Sequence, residues 1–158
     1  MSSGAVLRAA LGGAAMLVLV SCGSLQSASG GDGAQHIAAA NRAVGEILVD
    51  ADGRTLYMST HDEQGRASAC AAECLADWPA LEGSVGAGDG VDTGLIGTIT
   101  RGDGTVQATY AGWPLYYSAE DTSAGDTNGQ GVKDSWYVVS PEGDIITRAP
   151  ASGGGGGY

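Results

Sequence analysis

Hydrophobic and polar residues alternate in short runs along most of this chain, and turn-forming residues break the runs at frequent intervals. Glu46–Asp50 and Arg54–Ser59 flank Ala51-Asp52-Gly53, a hairpin signal. Gly97–Arg101 and Thr105–Tyr110 flank Gly102-Asp103-Gly104 in the same way. Trp113–Ser118 follows after Ala111-Gly112, which extends that hairpin into a meander. Trp136–Ser140 and Asp144–Thr147 flank Pro141-Glu142-Gly143. Runs this short, rich in β-branched and aromatic residues, predict an all-β fold: a small antiparallel domain of hairpins. One segment departs from the pattern. Ser68–Ala76, SACAAECLA, has helical composition and predicts one short helix that carries two cysteines.

The two ends of the chain have a different character. Arg8 precedes an uncharged apolar run, Ala9–Val20, that is too short for a spanning helix, which takes about 20 apolar residues. The run has the anatomy of a secretory signal. It ends in Leu19-Val20-Ser21-Cys22, which resembles the lipobox of bacterial lipoproteins. That resemblance implies cleavage before Cys22, lipidation of its thiol and acylation of the new terminus. The alternatives are an uncleaved membrane helix or a plain secretory signal with an incidental cysteine. Residues 22–43, rich in Gly, Ser and Ala, read as a flexible tether, in which His36–Ala40 forms at most an unstable helical turn. Residues 149–158 read as a disordered Gly-rich tail. The expected organisation is therefore a signal peptide over 1–21, a lipidated tether over 22–43, a β domain over 44–148 and the tail.

Within the domain the chain repeats itself. Residues 53–62, GRTLYMSTHD, and 112–121, GWPLYYSAED, share the pattern G-x-x-L-Y-x-S-x-x-D. This self-similarity predicts two copies of one supersecondary unit. In a strand Tyr57 and Ser59 share one face while Leu56 and Met58 share the other; Tyr116 and Ser118 repeat this against Leu115 and Tyr117. Asp62 and Asp121 fall just past each strand end, where an Asx-type turn is favoured. Each Tyr is expected to bury its ring and tie its hydroxyl to the adjoining turn. A ligand site built from the paired motifs is the competing reading.

Through Tyr57 with Asp62 and Tyr116 with Asp121, the chain resembles the bacterial secreted lipoprotein repeat family marked by a Y-x4-D motif, often in tandem pairs. Gly45–Asp50, Cys70-x3-Cys74-x3-Trp78-Pro79 and Trp136–Pro141 support the resemblance. Many members carry an aromatic two residues after the motif Tyr, where this chain has Ser59 and Ser118. The resemblance implies a location and a fold; it implies no activity.

Composition narrows the chemistry. The formal charge is −11, with seven Lys+Arg against 18 Asp+Glu, which argues against a nucleic-acid partner. Only two His are present. With Cys22 given to lipid, Cys70 and Cys74 remain as an even pair in an oxidising compartment, spaced to meet on one helix face, and a disulfide is expected. Two functional readings compete with it. One is a labile, redox-active bridge. The other is a soft Cu(I) site of reduced Cys70 and Cys74 with His61 and Met58. Asp126–Gly131 imitates the start of a calcium loop, but its twelfth position is Tyr137 where a bidentate Glu is required. No nucleophile motif supports a hydrolase.

The expectation is thus a non-enzymatic lipoprotein without cofactor, on the extracytoplasmic face of the cell membrane, held by the lipid on Cys22. It would bind an envelope protein or a small ligand. The alternative is a redox or copper-handling lipoprotein using Cys70, Cys74 and His61.

Overall fold

The computed structural model describes residues 35–149. The signal peptide, Cys22 and nearly all of the Gly-rich tail lie outside these residues. Among the described residues, nine strands, one α-helix and two 3-10 turns make an all-β fold of three small three-stranded sheets.

Strands β1 (His36–Arg42) and β2 (Gly45–Asp50) form an antiparallel hairpin, which β4 (Gly86–Ala87) extends in parallel with β1. Strand β3 (Tyr57–Ser59) pairs with β8 (Trp136–Val139), and β8 pairs with β9 (Ile145–Ile146). Strands β5 (Ile96–Thr100), β6 (Val106–Tyr110) and β7 (Trp113–Pro114) form the expected meander. The helix α1 (Glu73–Asp77) lies between β3 and β4.

Three expectations need correction. The tether does not extend to residue 43, because β1 occupies His36–Arg42 and belongs to the domain. Its Ala-rich sequence has weak strand propensity and is held by tertiary context. Small side chains there admit the Gly-rich loop: Ala39 N donates to Asp89 O at 2.8 Å, and a Cβ on Gly90 would meet the Ala39 Cβ at 2.7 Å. The hairpin around Ala51-Asp52-Gly53 is also shorter than expected. Its turn forms, with Gly53 N donating to Asp50 O at 2.9 Å, but past the Val49–Thr55 bridge the chain leaves β2 and pairs with β8. Finally, the helix starts at Glu73 rather than Ser68, since Ala72 sits at φ 47°, outside the helical region.

The alternation along the strands sorts side chains between two apolar cores. Leu48, Leu56, Met58, Leu115 and Val139 enter one core; Ile47, Val49, Tyr57, Tyr116 and Val138 enter the other. Burial on both faces explains why these runs are almost wholly apolar. The predicted faces hold: Tyr57 lies opposite Leu56 and Met58, and Tyr116 lies opposite Leu115 and Tyr117.

Candidate functional site

The two copies of the repeated sequence meet at their tyrosines. Tyr57 N donates to Tyr116 O at 2.8 Å and Tyr116 N donates to Tyr57 O at 2.9 Å, an isolated antiparallel bridge. The backbones therefore cross with each Tyr opposite its counterpart. From this point the side chains diverge in a reciprocal pattern. The Tyr57 hydroxyl donates to Asp121 Oδ2 at 2.7 Å, and the Tyr116 hydroxyl donates to Asp62 Oδ2 at 2.9 Å. Each Tyr is thus tied to the turn of the other copy. The expectation that a Tyr would tie down its adjoining turn is corrected here: the strand carries the hydroxyl across the bridge, toward the partner copy's Asp.

The two turns are built alike. Asp62 accepts from Ala69 N at 2.7 Å and Asp121 accepts from Asn128 N at 2.9 Å, each seven positions further along. Ser59 Oγ accepts from His61 N at 3.2 Å, and Ser118 Oγ accepts from Glu120 N at 3.2 Å. Both serines are buried. The small hydroxyl at the third position of each Y-x-S therefore serves as a turn cap, which an aromatic there could not do.

Around this lock stand four aromatic rings. The Trp78 and Trp136 rings stack with centroids 3.9 Å apart, and Tyr57 and Tyr116 abut them edge-on at 5.5 and 5.1 Å. Gly129 closes over Tyr57, its N–H donating to the Tyr57 hydroxyl at 3.2 Å. A Cβ at Gly129 would lie 2.8 Å from both the Tyr57 and Trp78 rings. Burial and the Asp121 carboxylate push the Tyr57 phenol far above its ordinary value. Burial also raises Tyr116, to about 12. Asp62 is raised by burial as well, opposed by its hydrogen bonds from Ala69 and Tyr116 and by the charge of Arg101. The Tyr–Asp pairs are therefore occupied within the interior, and the competing idea of a ligand site made from them is not supported by their geometry.

Two further polar links escaped the sequence reading. Arg101 is only 8% exposed, and its guanidinium donates to Ser68 Oγ at 2.9 Å, to Gln107 Oε1 at 2.6 Å and to the Cys70 carbonyl. Ser68 Oγ in turn lies 2.5 Å from the Tyr116 hydroxyl. Tyr117 donates to Asp50 Oδ2 at 2.9 Å, with the Arg54 guanidinium 4.1 Å from its ring centroid. Nothing in the local pattern around Arg101 separates it from a solvated loop cation. Tyr117 stands on the strand face opposite Tyr116, with Leu115, and is half-buried.

Cys70 and Cys74 form a disulfide with Cα atoms 5.3 Å apart. Cys70 precedes the helix and Cys74 lies in its first turn, so the bridge ties a loop to α1 rather than two turns of one helix face. This corrects the copper-site expectation. The two sulfurs are bonded to each other and are not thiolate ligands, and Met58 lies in the opposite core. Among the described residues no group of three or more His, Cys, Asp or Glu is arranged to hold a metal. In the calcium-like segment the Asp126 carboxylate accepts from Thr122 N and Ser123 N at 3.0 and 2.9 Å, capping a turn.

His61, Cys70 and Cys74 are nevertheless brought together. They line a cavity of about 240 Å³ with Asp77, Trp78 and, from the second copy, Lys133, Ser135 and Trp136. Lys133 and Asp134 hold left-handed backbone at φ 53° and 51°, a conformation uncommon for residues other than glycine. His61, Asp77 and Lys133 are exposed at the rim, while the two indoles form the floor at 5% exposure. Each repeat thus supplies one charged rim residue of opposite sign, Asp77 from the first and Lys133 from the second.

Among the described residues no helix is long and apolar enough to cross a membrane. A family model described as a secreted repeat of unknown function matches the chain twice, over residues 38–82 and 97–140. The first match begins inside β1, in line with that strand being part of the repeat. The two matched segments contain Tyr57 with Asp62 and Tyr116 with Asp121 respectively. No curated protein and no solved structure matches the chain.

Proposed function

Because the chain belongs to this family of secreted repeats, we propose that it is a lipid-anchored, non-catalytic binding module on the extracytoplasmic face of the membrane. Its ligand site in this reading is the cavity between the repeats. One observation carries the choice of site: the cavity's rim combines His61, Asp77 and Lys133 over an indole floor, with both repeats contributing. Small-molecule sites are concave and largely apolar, with a few placed polar groups. The Tyr–Asp pairs, by contrast, have their hydrogen-bonding capacity taken up internally. They act as the frame that holds the two walls at a set distance. The anchor rests on the lipobox-like Leu19–Cys22, since paired acyl chains give stable membrane attachment where one gives marginal binding.

Two measurements test this reading. Indole N–H signals of Trp78 and Trp136 in the full-length protein are followed by NMR during titration with defined amino acids, sugars and cell-wall fragments. A ligand that shifts both indoles, and loses its effect in Lys133→Asn, supports the cavity as the site. Ligands that bind while leaving both indoles unmoved overturn it. For the anchor, Cys22→Ser should move the protein from the membrane fraction to the medium. Retention on membranes would favour an uncleaved N-terminal helix.

A further inference from the structure

The cavity wall contains a bond that can be broken and remade. Cys70 is 4% exposed and Cys74 is half-buried, and both line the cavity beside His61. The loop they close is very short, so the bond gains less from restraining the unfolded chain than a bridge across a long loop does. Within that loop Ala72 sits at φ 47° and ψ −111°, a backbone conformation that a residue other than glycine rarely adopts. Strained or accessible disulfides are the ones that thiols exchange.

Behind Cys70 stands a buried positive charge. The Arg101 guanidinium donates to the Cys70 carbonyl, its Nε has no partner, and among the described residues no carboxylate lies within 4.0 Å of it. Its other partners, Ser68 and Gln107, are neutral. The contact with the carbonyl holds the backbone of Cys70 in place. Cys74 is the more accessible of the two, so its sulfur is the one open to attack and the buried Cys70 sulfur is the one that leaves.

We propose that Cys70–Cys74 is a thiol-exchange site for a small zwitterionic aminothiol that enters the cavity between His61 and Lys133. The proposal rests on the reading of this cavity as a ligand site. Lys133 and Asp77, on opposite repeats, complement the carboxylate and ammonium of such a molecule. The volume of about 240 Å³ lies below the roughly 300–1,000 Å³ of sites for drug-sized ligands, which suits a compact guest.

In the exchange, the aminothiol gives its proton to His61 and attacks Cys74 Sγ as a thiolate. The ligand–Cys74 bond forms as the Cys70–Cys74 bond breaks, and the electron pair leaves with Cys70. A second aminothiol attacks the ligand sulfur of the mixed disulfide and releases Cys74. Two aminothiols are oxidised to one disulfide, the protein disulfide is reduced to two thiols, and the ligands' two protons end on Cys70 and Cys74.

The test uses full-length protein, L-cysteine without oxygen at neutral pH, an alkylating quench and peptide mass spectrometry. Near-ultraviolet circular dichroism reports the fold in parallel. The expected result is reduction with the tertiary signal retained, a cysteine adduct on Cys74 and the alkyl group on Cys70. Lys133→Asn, whose side chain tolerates left-handed backbone, should slow L-cysteine about threefold to fivefold, the size of an exposed ion pair. Cysteamine, which has no carboxylate, should be unaffected. Reduction only after denaturant removes the tertiary signal, an adduct on Cys70, or equal slowing of both thiols would overturn the proposal. L-serine, which lacks the thiol, separates the two readings. If it shifts the Trp78 and Trp136 indoles while L-cysteine leaves the disulfide intact, the exchange fails and the cavity remains a ligand site. If neither amino acid acts, both readings fall for this ligand class.

Discussion

Tyr57 donates a hydrogen bond to Asp121, 64 positions away in sequence, at 2.7 Å in the protein interior; Tyr116 donates to Asp62, 54 positions away, at 2.9 Å. The motif that appears in each repeat as Tyr followed by Asp is therefore satisfied only between repeats. A single copy would leave one phenol and one carboxylate without their partner. An unpaired buried polar group costs about 1–3 kcal/mol, and more when it is charged. Pairing between copies gives a physical reason for the two repeats to occur together in this chain.

At Gly129 the backbone passes close against the aromatic cluster. Gly129→Ala would place a methyl 2.8 Å from the Tyr57 and Trp78 rings, with Tyr57 fully buried and unable to swing into solvent. Overpacking of this kind costs about 1–3 kcal/mol. Chemical denaturation should show the loss. Gly131→Ala, where a Cβ meets nothing within 4 Å, separates crowding from backbone effects, since its φ of 75° adds strain alone.

High pH should unfold the domain through its tyrosines. Tyr57, Tyr116 and Tyr117 all have phenols raised above their ordinary value of 10, chiefly by burial. Below pH 10 both folded and unfolded forms keep these protons, and the contribution to stability is intact. Above it the unfolded chain releases protons that the folded chain retains, so stability falls as pH rises. For Tyr116 the window runs from 10 to about 12. Stability measured across that window should decline, and more shallowly in Tyr116→Phe. A decline across that window as steep in Tyr116→Phe as in the unsubstituted protein would contradict the burial of the Tyr116 hydroxyl.

Removing the disulfide should weaken the domain without dissolving it. The loop that Cys70 and Cys74 close is so short that chain-entropy reasoning assigns the bridge about 2 kcal/mol. Cys70→Ser with Cys74→Ser should lower stability by about that amount while the Trp78–Trp136 near-ultraviolet signal persists. Loss of that signal in the folded double variant would mean the bridge positions the indoles as well as stapling α1.

Much of the architecture can be read from local sequence. The β5–β6 hairpin follows from Gly102-Asp103-Gly104 between two alternating runs, and the opposite faces of Leu56 and Tyr57 follow from the strand period. What local sequence does not carry is the identity of distant partners. Periodicity puts Tyr57 on a buried face, but it cannot say that Asp121 rather than Asp62 receives its hydroxyl. The strand at His36–Arg42 is hidden because alanine has little strand preference; its seat is made by the Gly88–Gly90 loop and by β2. Arg101 is hidden for a similar reason. Its burial depends on Gln107 in the same hairpin and on Ser68 and Cys70, more than thirty positions away.

The reciprocal lock is tested most directly by double-mutant cycles on stability, comparing Tyr57→Phe with Asp121→Asn against Tyr57→Phe with Asp62→Asn. Groups in one hydrogen bond couple by about 0.5–3 kcal/mol, whereas sites without shared partners add within about 0.3–0.5 kcal/mol. Tyr57 and Asp121 should couple within the first range, and Tyr57 and Asp62 should be additive within the second. Coupling between Tyr57 and Asp62, with additivity between Tyr57 and Asp121, would mean that each motif closes on itself and that the two repeats are not locked through their tyrosines.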